Sequence, residues 1–205
     1  MNSSLDKAEQ APEGGKRART RKRLIEAAAA VIAAKGFDRA SLEDIAALAG
    51  MTRGAVYGNF KNKEELFLAL IETHWKPIIP PLRAGASLKE QMRIMGKTVA
   101  GVAKERRKYA AIATAFQLYT LTHAPMQAKL AEKNAAVYRR IEKELVKVIP
   151  AKSLRMSAKQ FVRVLDAVTT GLLFTYFQTP ELITEDVFVA AFEALAGQEC
   201  VVSCR

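Results

Sequence analysis

The stretch Ser41–Lys63, SLEDIAALAGMTRGAVYGNFKNK, decides the fold of this chain. It predicts two short helices, because Ser41 and Asp44 have the spacing of a capping box and Thr52 suits the N-cap of a second helix. That second helix is predicted to run from Thr52 to about Asn59. The two caps and the short gap between the helices are typical of a helix-turn-helix.

A helix-turn-helix makes three demands on its sequence. It needs a small residue where the helices cross, a residue that accepts a positive φ in the turn, and an apolar residue that sets the angle of the second helix. Ala46, Gly50 and Val56 occupy these places. Ile45 and Leu48 are expected to supply the core beneath them.

This motif presents the N-terminal residues of its second helix to the major groove of DNA. Residues 16–23 hold six basic residues in eight, which suits a DNA backbone or an adjacent minor groove. Two alternatives stay open, because packed helices with a glycine turn also occur in proteins that bind no nucleic acid, and a basic cluster also serves as a solubilising terminus. Residues 1–63 carry 12 basic and 7 acidic residues, a net charge of +5 that leaves +6 for the rest, so the excess is not confined to this region.

The composition is typical of a globular protein that is not secreted. Half of the 205 residues are hydrophobic and 26% are charged, with a net charge of +11, which allows a sizeable core. Charged residues interrupt each apolar run before the ~18 residues of a membrane span, and the polar first 15 residues do not resemble a signal peptide. Cys200 and Cys204 would close only a very small loop, so a disulfide-stabilised fold is excluded and a cytoplasmic location is expected.

The sequence does not favour an enzyme. Its two histidines, His74 and His123, lie far apart and near no cysteine, so they do not have metal-ligand spacing. A glycine-rich phosphate loop and a nucleophile motif are also missing from the sequence. We therefore expect a protein that is not an enzyme and that uses no cofactor or metal.

Seven prolines divide the chain into helices, since proline interrupts a helix interior. No hairpin signal or period-2 alternation supports a strand, so the predicted fold class is all-α. A first helix is predicted from about Lys16 to Lys35, with Gly36 as its stop, and five or so helices follow between His74 and Ala196. The predicted divisions are a disordered tail over 1–15, a three-helix helix-turn-helix domain over 16–62, a connecting helix over 63–81, a helical domain over 82–197 and a tail over 198–205.

Four short motifs stand in a fixed order around the turn. They are Lys35-Gly36-Phe37, Ser41-Leu42-Glu43-Asp44-Ile45-Ala46, Ala49-Gly50-Met51-Thr52-Arg53-Gly54-Ala55-Val56-Tyr57 and Asn59-Phe60-Lys61-Asn62-Lys63-Glu64-Glu65-Leu66. This order closely resembles TetR-family transcriptional repressors over about residues 17–70, and the Thr-Arg-Gly-Ala-Val-Tyr segment is most similar to the AcrR-like branch that governs efflux pumps. Gly58 and Asn59 depart from the pattern, since the family often has an aromatic residue and a histidine there. The resemblance implies a repressor that binds a palindromic double-stranded DNA operator as a homodimer.

Arg53 is the leading candidate for reading a base, because its side chain is long enough to reach guanine O6 and N7; a phosphate contact without specificity is the alternative. An acid at Glu43 would favour cytosine N4 or complete a solvent-facing surface. The resemblance implies that Tyr57 contacts phosphate, and Lys63 is a candidate phosphate clamp. The predicted DNA-binding residues are Arg19, Arg21, Glu43, Thr52, Arg53, Gly54, Ala55, Tyr57, Asn59, Lys61 and Lys63.

The segments 157–178 and 184–196 are apolar on more than one face. After one face of each helix has packed into the core of its own chain, a second apolar face remains to be buried. The resemblance implies that the C-terminal helical domain dimerises through these last two helices. The alternative is that both faces pack within one chain. The predicted interface residues are Phe161, Leu165, Val168, Leu172, Phe188 and Phe192.

The resemblance further implies that the C-terminal domain encloses a small, largely hydrophobic or aromatic inducer. Large or adaptable side chains are candidates to line its pocket, although at helical spacing they are also typical of a core. They are Trp75, Met92, Met95, Tyr109, Phe116, Gln117, Tyr119, His123 and Tyr138. The alternative function is a helical small-molecule-binding or scaffold protein with only non-specific DNA binding.

Overall fold

The computed structural model describes residues 15–197, and every regular element within them is helical, which confirms the all-α fold class. The chain divides into two compact units, with the boundary between His74 and Trp75. The first unit contains α1 Lys16–Lys35, α2 Leu42–Leu48, α3 Arg53–Tyr57 and α4 Lys63–His74. The second contains α5 Leu88–Arg106, α6 Ala110–Thr122, α7 Ala124–Val148, α8 Ala158–Gln178 and α9 Glu185–Ala196. The predicted C-terminal tail, with Cys200 and Cys204, lies outside the described residues, as does the N-terminal tail up to residue 14.

The first unit is built around the apolar face of α1. Leu24, Ala28, Val31 and Ile32 recur at helical spacing and are buried, and α1 packs against α2 and α4. Gly36 follows α1 at a φ of 77°, a left-handed conformation that favours glycine. The predicted bounds of the first helix are therefore confirmed.

The turn between α2 and α3 has the geometry that the sequence predicts. Ser41 Oγ accepts a hydrogen bond from the Asp44 amide at 3.0 Å, and the Ser41 amide donates to Asp44 Oδ2 at 3.3 Å, which completes the capping box. Gly50 adopts a φ of 60° in the turn, and both Ala46 and Val56 are buried. These contacts confirm the three placements that predict a helix-turn-helix.

Leu48 does not belong to the core that the sequence assigns to it. Its side chain is 58% exposed, because the buried face of α2 is centred on Leu42, Ile45 and Ala46, and Leu48 lies about a third of a turn away from that face. The predicted core position of Leu48 is therefore wrong, whereas that of Ile45 is confirmed.

Two helices are shorter than the sequence predicts. α3 ends at Tyr57 rather than near Asn59, because the next turn tightens and the Asn59 amide donates to Val56 O. α4 ends at His74 rather than at residue 81, since the prolines at 77, 80 and 81 lack the amide that a helix needs. The connecting segment is held instead by the buried side chain of Gln91, which accepts from the Arg83 amide at 3.0 Å and donates to the Arg83 carbonyl.

The core of the second unit lies among α5, α7, α8 and α9. α5 packs along α9, and α7 packs on α8. Gly96 marks a close approach within the first pair, since a Cβ added there would lie 2.7 Å from the Cα of Val189. The two backbones therefore approach without an intervening side chain, which only glycine permits.

Four of the six predicted dimer residues belong to this core. They are Phe161, Leu165, Phe188 and Phe192, all buried within a single chain. The prediction that they face a second copy is therefore wrong, because their side chains fill the space between α5, α8 and α9. Val168 and Leu172 are half-buried against the same core.

Gly96 offers a direct test of the α5–α9 packing. We expect Gly96→Ala to lower the free energy of unfolding by about 1–3 kcal/mol, because the added methyl meets backbone that cannot move aside easily. Gly101→Ala on the same helix is the matched control; its Cβ would meet nothing within 4 Å, so we expect a gain of about 0.5–1 kcal/mol from helix propensity. Urea unfolding followed by circular dichroism measures both, and equal effects at the two positions would contradict this packing.

Candidate nucleic-acid interface

The short helix α3 is anchored on one side and open on the other. Val56 is fully buried against α2, and the Thr52 hydroxyl caps the helix by accepting from the Ala55 amide at 3.3 Å. Arg53 and Tyr57 lie one turn apart on the solvent side, where Tyr57 is 47% exposed. Gly54 between them adds no side chain, so the helix can approach another molecule closely.

Arg53 is held by two neighbours rather than extending freely. Its Nε lies 3.0 Å from Glu43 Oε1 on α2, and its Nη2 donates to the Tyr57 hydroxyl at 3.4 Å. The guanidinium also lies 5.4 Å from the centre of the Tyr57 ring, within cation–π range. The hydrogen bond to Tyr57, together with the negative charge of Glu43, raises the pKa of Arg53 above its ordinary value.

Two arginines of the basic run on α1 bind the ends of the helix-turn-helix. Arg23 Nη2 donates to the carbonyl of Ala49 at 2.7 Å, directly after α2. Arg21 Nη1 donates to the carbonyl of Asn59 at 2.9 Å, after α3, and its guanidinium lies 4.2 Å from the ring centre of Phe60. Both carbonyls lie where a helix leaves acceptors unpaired. Arg21, which is also a predicted DNA-binding residue, therefore stabilises the position of α3.

Lys63 has a similar internal role. Its ammonium donates to the carbonyls of Phe37 at 2.9 Å and Asp38 at 3.2 Å, and it lies 4.4 Å from the ring centre of Phe37. That ring stacks in turn on Phe67 at 4.2 Å, so Lys63 links the start of α4 to the segment after α1. Lys61, two residues earlier, is exposed.

The structure brings part of the predicted DNA-binding set onto one surface. Five members of the set have exposed side chains on α2, on α3 or directly beside α3, and they include an acid, two cations and one aromatic residue. They are Glu43, Thr52, Arg53, Tyr57 and Lys61. Arg19 is exposed on α1, whereas Asn59 is half-buried, with Nδ2 donating to Ala55 O at 2.8 Å.

Residues 24–70 of the first unit match the bacterial regulatory proteins of the tetR family. The chain carries the N-terminal domain of the TetR family. The transcriptional regulator TtgR of Pseudomonas putida is 50% identical over 54 residues, and the probable acrEF/envCD operon repressor of Escherichia coli is 49% identical over 49 residues. These matches cover 26% and 24% of this chain and 26% and 22% of the two relatives, so they span about a quarter of the relatives' length.

The fold extends to the second unit as well. GusR of Salmonella enterica superposes with a TM-score of 0.69 at 20% identity, covering 89% of this chain and 95% of GusR. At that identity the likeness shows the fold alone. The curated relatives that match the first unit are named as transcriptional regulators or as an operon repressor. Within residues 15–197 no helix is long and apolar enough to cross a membrane, and no cluster of three or more acidic, histidine or cysteine side chains could hold a metal ion.

The predicted ligand residues of the second unit fall into separate environments. Met92 is fully buried in the α5–α9 core, and Trp75, Met95 and Tyr138 pack against that core. Gln117 and His123 are exposed, and their place in a ligand pocket stays a prediction. His123 lies beyond the end of α6, where its ring stacks on Tyr119 at 3.8 Å. Phe116 is buried on the inner face of α6, and Tyr109 precedes that helix.

Tyr138 connects α7 to α8. Its hydroxyl donates to Asp166 Oδ2 at 2.7 Å, and the Arg163 guanidinium lies 5.5 Å from its ring centre. Burial, with help from the Asp166 hydrogen bond, raises the pKa of Tyr138 to about 12. The phenol therefore remains a hydrogen-bond donor at alkaline pH, where an unshifted tyrosine would ionise.

The second unit also has a surface depression, and none of the predicted ligand residues lines it. It is lined by Arg83, Ser87, Lys89, Glu90, Arg93, Ile94 and Lys97. Glu90 and Arg83 form an ion pair at 3.6 Å across it.

Sequence reasoning missed the role of Arg23. The basic run on α1 was visible, but the acceptor is a backbone carbonyl at the end of α2, which leaves no side-chain signature. The only available signal was the expectation that helix C-terminal carbonyls attract cations.

The internal contacts of Lys63 can be separated from a DNA contact. We expect Lys63→Ala to lower the free energy of unfolding by about 1–2 kcal/mol, since its ammonium makes two hydrogen bonds in a half-buried position. Lys61→Ala is the matched control and should leave stability unchanged, because Lys61 is exposed. Thermal and urea unfolding of the two variants provide the comparison, and an unfolding curve of Lys63→Ala identical to that of the unsubstituted protein would contradict the role in folding.

Proposed function

We propose that the protein is a transcriptional repressor that binds a palindromic DNA operator as a homodimer. The observation that carries the proposal is the TetR-type helix-turn-helix, in which α3 is anchored by buried Val56 while Arg53 and Tyr57 face solvent. Relatives that match this domain are transcriptional regulators, and one of them is named an operon repressor. Because its target is genomic DNA, the protein acts in the cytoplasm.

The residues of α3 and of the segments beside it have distinct parts in this proposal. The terminal nitrogens of Arg53 read a guanine, and the Ala55 methyl contacts a thymine methyl. Tyr57, Lys61 and Arg19 contact phosphates, which position the helix without reading sequence. The small residues Gly54 and Gly58 let the helix lie close to the base edges.

The dimer is proposed to form through the outer faces of α8 and α9. On α9, after the acidic first turn of Glu185 and Asp186, the exposed residues are Val187, Ala190 and Ala194, which are apolar and not bulky. On α8 it includes Ala167 and Gly171, which lie on the side away from the buried residues. Small side chains allow two helices to approach closely over their length, so these faces suit a helical bundle.

A small, largely hydrophobic ligand is proposed to bind beside α6 and release the DNA. The support is Thr120, whose hydroxyl oxygen is buried with no hydrogen-bond partner among the described residues. It lies one and two turns from buried Phe116 and Ile112, so an apolar ligand with one polar group would satisfy it. A panel of such compounds that neither shifts Tm nor weakens the DNA complex would refute this part of the proposal.

Arg53→Ala tests the DNA-reading part. We expect it to reduce discrimination at one base position by about 1–3 kcal/mol, because one bidentate base contact is lost. Lys61→Ala, in contrast, should weaken all DNA alike and reduce the dependence of log Kd on log salt by about one. Fluorescence anisotropy at two salt concentrations, with DNA from directly upstream of the protein's own gene and random DNA as competitor, measures both effects.

The same titration decides between the two candidate functions. Tight binding that survives random competitor and saturates at two protomers, or at pairs of dimers, per site supports the repressor. Weak binding that disappears as salt is raised favours a helical small-molecule-binding or scaffold protein. Equal losses of Arg53→Ala on both DNAs would reduce Arg53 to a backbone contact.

The dimer is tested by mass. Light scattering at micromolar concentration should give about twice the chain mass of 22.5 kDa. Ala190→Glu places a charge on the proposed interface, so it should shift the mass towards the monomer. Ala136→Glu, at an exposed position of α7, is the matched control and should remain dimeric. A mass near 22.5 kDa for the unsubstituted protein would contradict the dimer.

A further inference from the structure

The ion pair between Glu43 and Arg53 joins the two helices of the motif across its exposed surface. Glu43 is on α2 and Arg53 is the first residue of α3, and the Nε–Oε1 distance is 3.0 Å. Their side chains are 53% and 67% exposed, so the pair lies on the side that would face DNA. A pair this exposed adds little to folding stability, so its effect is to be sought in binding.

The second acid of α2 has a different task. The carboxylate of Asp44 closes the capping box with Ser41 and binds Lys35 Nζ at 2.8 Å. These hydrogen bonds lower the pKa of Asp44. Glu43 takes no part in that cap, so its carboxylate can be changed without removing the contacts that start α2.

The geometry around Arg53 leaves the base-reading edge of its guanidinium open. A guanidinium carries five N–H groups, one on Nε and two on each terminal nitrogen. Glu43 uses the Nε group and Tyr57 one group of Nη2. Both terminal nitrogens therefore keep a hydrogen for the two acceptors of guanine.

The negative charge of Glu43 also acts on the alternative ligand of Arg53. A phosphate that binds Arg53 from the Nε side would lie next to the Glu43 carboxylate, and two neighbouring anions repel each other. A guanine edge carries no net charge and does not incur this cost. Glu43 therefore penalises backbone binding by Arg53 more than base binding.

We propose that Glu43 is a specificity-determining residue, which positions Arg53 for a base and disfavours its binding to phosphate. The inference rests on the proposed DNA-binding function, and it differs from the expectation that an acid here contacts cytosine or only completes a solvent-facing surface. Glu43 need not touch the DNA to act in this way. Its effect passes through Arg53, whose position is also fixed by the hydrogen bond to the Tyr57 hydroxyl.

A double-mutant cycle tests the inference in the full-length protein. The variants are Glu43→Gln, Arg53→Ala and the pair together, and Glu26→Gln is the matched control because Glu26 pairs with Lys22 on α1 at 3.9 Å. The probes are a duplex that the unsubstituted protein selects from a random library and a random duplex of equal length. The readout is the Kd for the random duplex divided by the Kd for the selected duplex, measured at several salt concentrations.

We expect Glu43→Gln to lower this ratio about fivefold or more, the smallest discrimination that one base contact provides. The change should come mainly from tighter binding to random DNA and a steeper salt dependence. Glu26→Gln should leave the ratio unchanged. In the Arg53→Ala background, Glu43→Gln should have no further effect.

Two outcomes would overturn the inference while the proposed function stands. One is an equal change in the ratio for Glu43→Gln and Glu26→Gln, which would show a general charge effect. The other is a full effect of Glu43→Gln in the absence of Arg53, which would show that Glu43 acts by another route.

The Nε–H resonance of Arg53 in the free protein gives a readout that needs no DNA. It should shift in Glu43→Gln and not in Glu26→Gln, and no shift would overturn the inference. A protein that selects no sequence from the library, yet shows this shift, would overturn the proposed function and the specificity role with it, leaving the ion pair as a structural contact only.

Discussion

The burial of Val56 against α2 is the contact on which the exposed surface of the first unit depends. α3 has only five residues, too few to be stable by its own hydrogen bonds, so its helical form and its angle come from packing. Gly50 lets the chain turn sharply enough to bring Val56 to that position. Once Val56 is placed, Arg53 and Tyr57 lie together on one flank of the helix, roughly 60° and 100° around the axis from Val56, and both side chains reach solvent.

The cations of the first unit serve two purposes, and their partners tell them apart. Arg21, Arg23 and Lys63 bind backbone carbonyls where helices or turns end, so their charge stabilises the geometry of the unit. Arg19 and Lys61 are exposed and are available to an external anion. A count of basic residues along the sequence combines these two groups, which is why net charge alone is a poor guide to which side chains meet phosphate.

Much of the first unit could be predicted from the sequence, because its determinants are local. The Ser41 cap, the turn at Gly50 and the stop at Gly36 are properties of a few neighbouring residues, and all are found in the structure. The packing of the second unit was harder to predict, since the sequence of a helix with two apolar faces does not show which face packs within its own chain. Phe161 and Phe188 were placed at a dimer interface and lie in the core instead. Arg53 and Glu43 were both identified as candidates, but the ion pair between them was not predicted, since the contact depends on the angle between α2 and α3.

The close approach at Gly96 has a mechanical consequence for the second unit. With backbone against backbone at this point, α5 and α9 cannot slide past each other by exchanging rotamers, as two helices separated by long side chains can. At this contact the two helices follow each other. A displacement of α5 at Gly96 is therefore passed directly to α9 at Val189, 93 residues later in the chain.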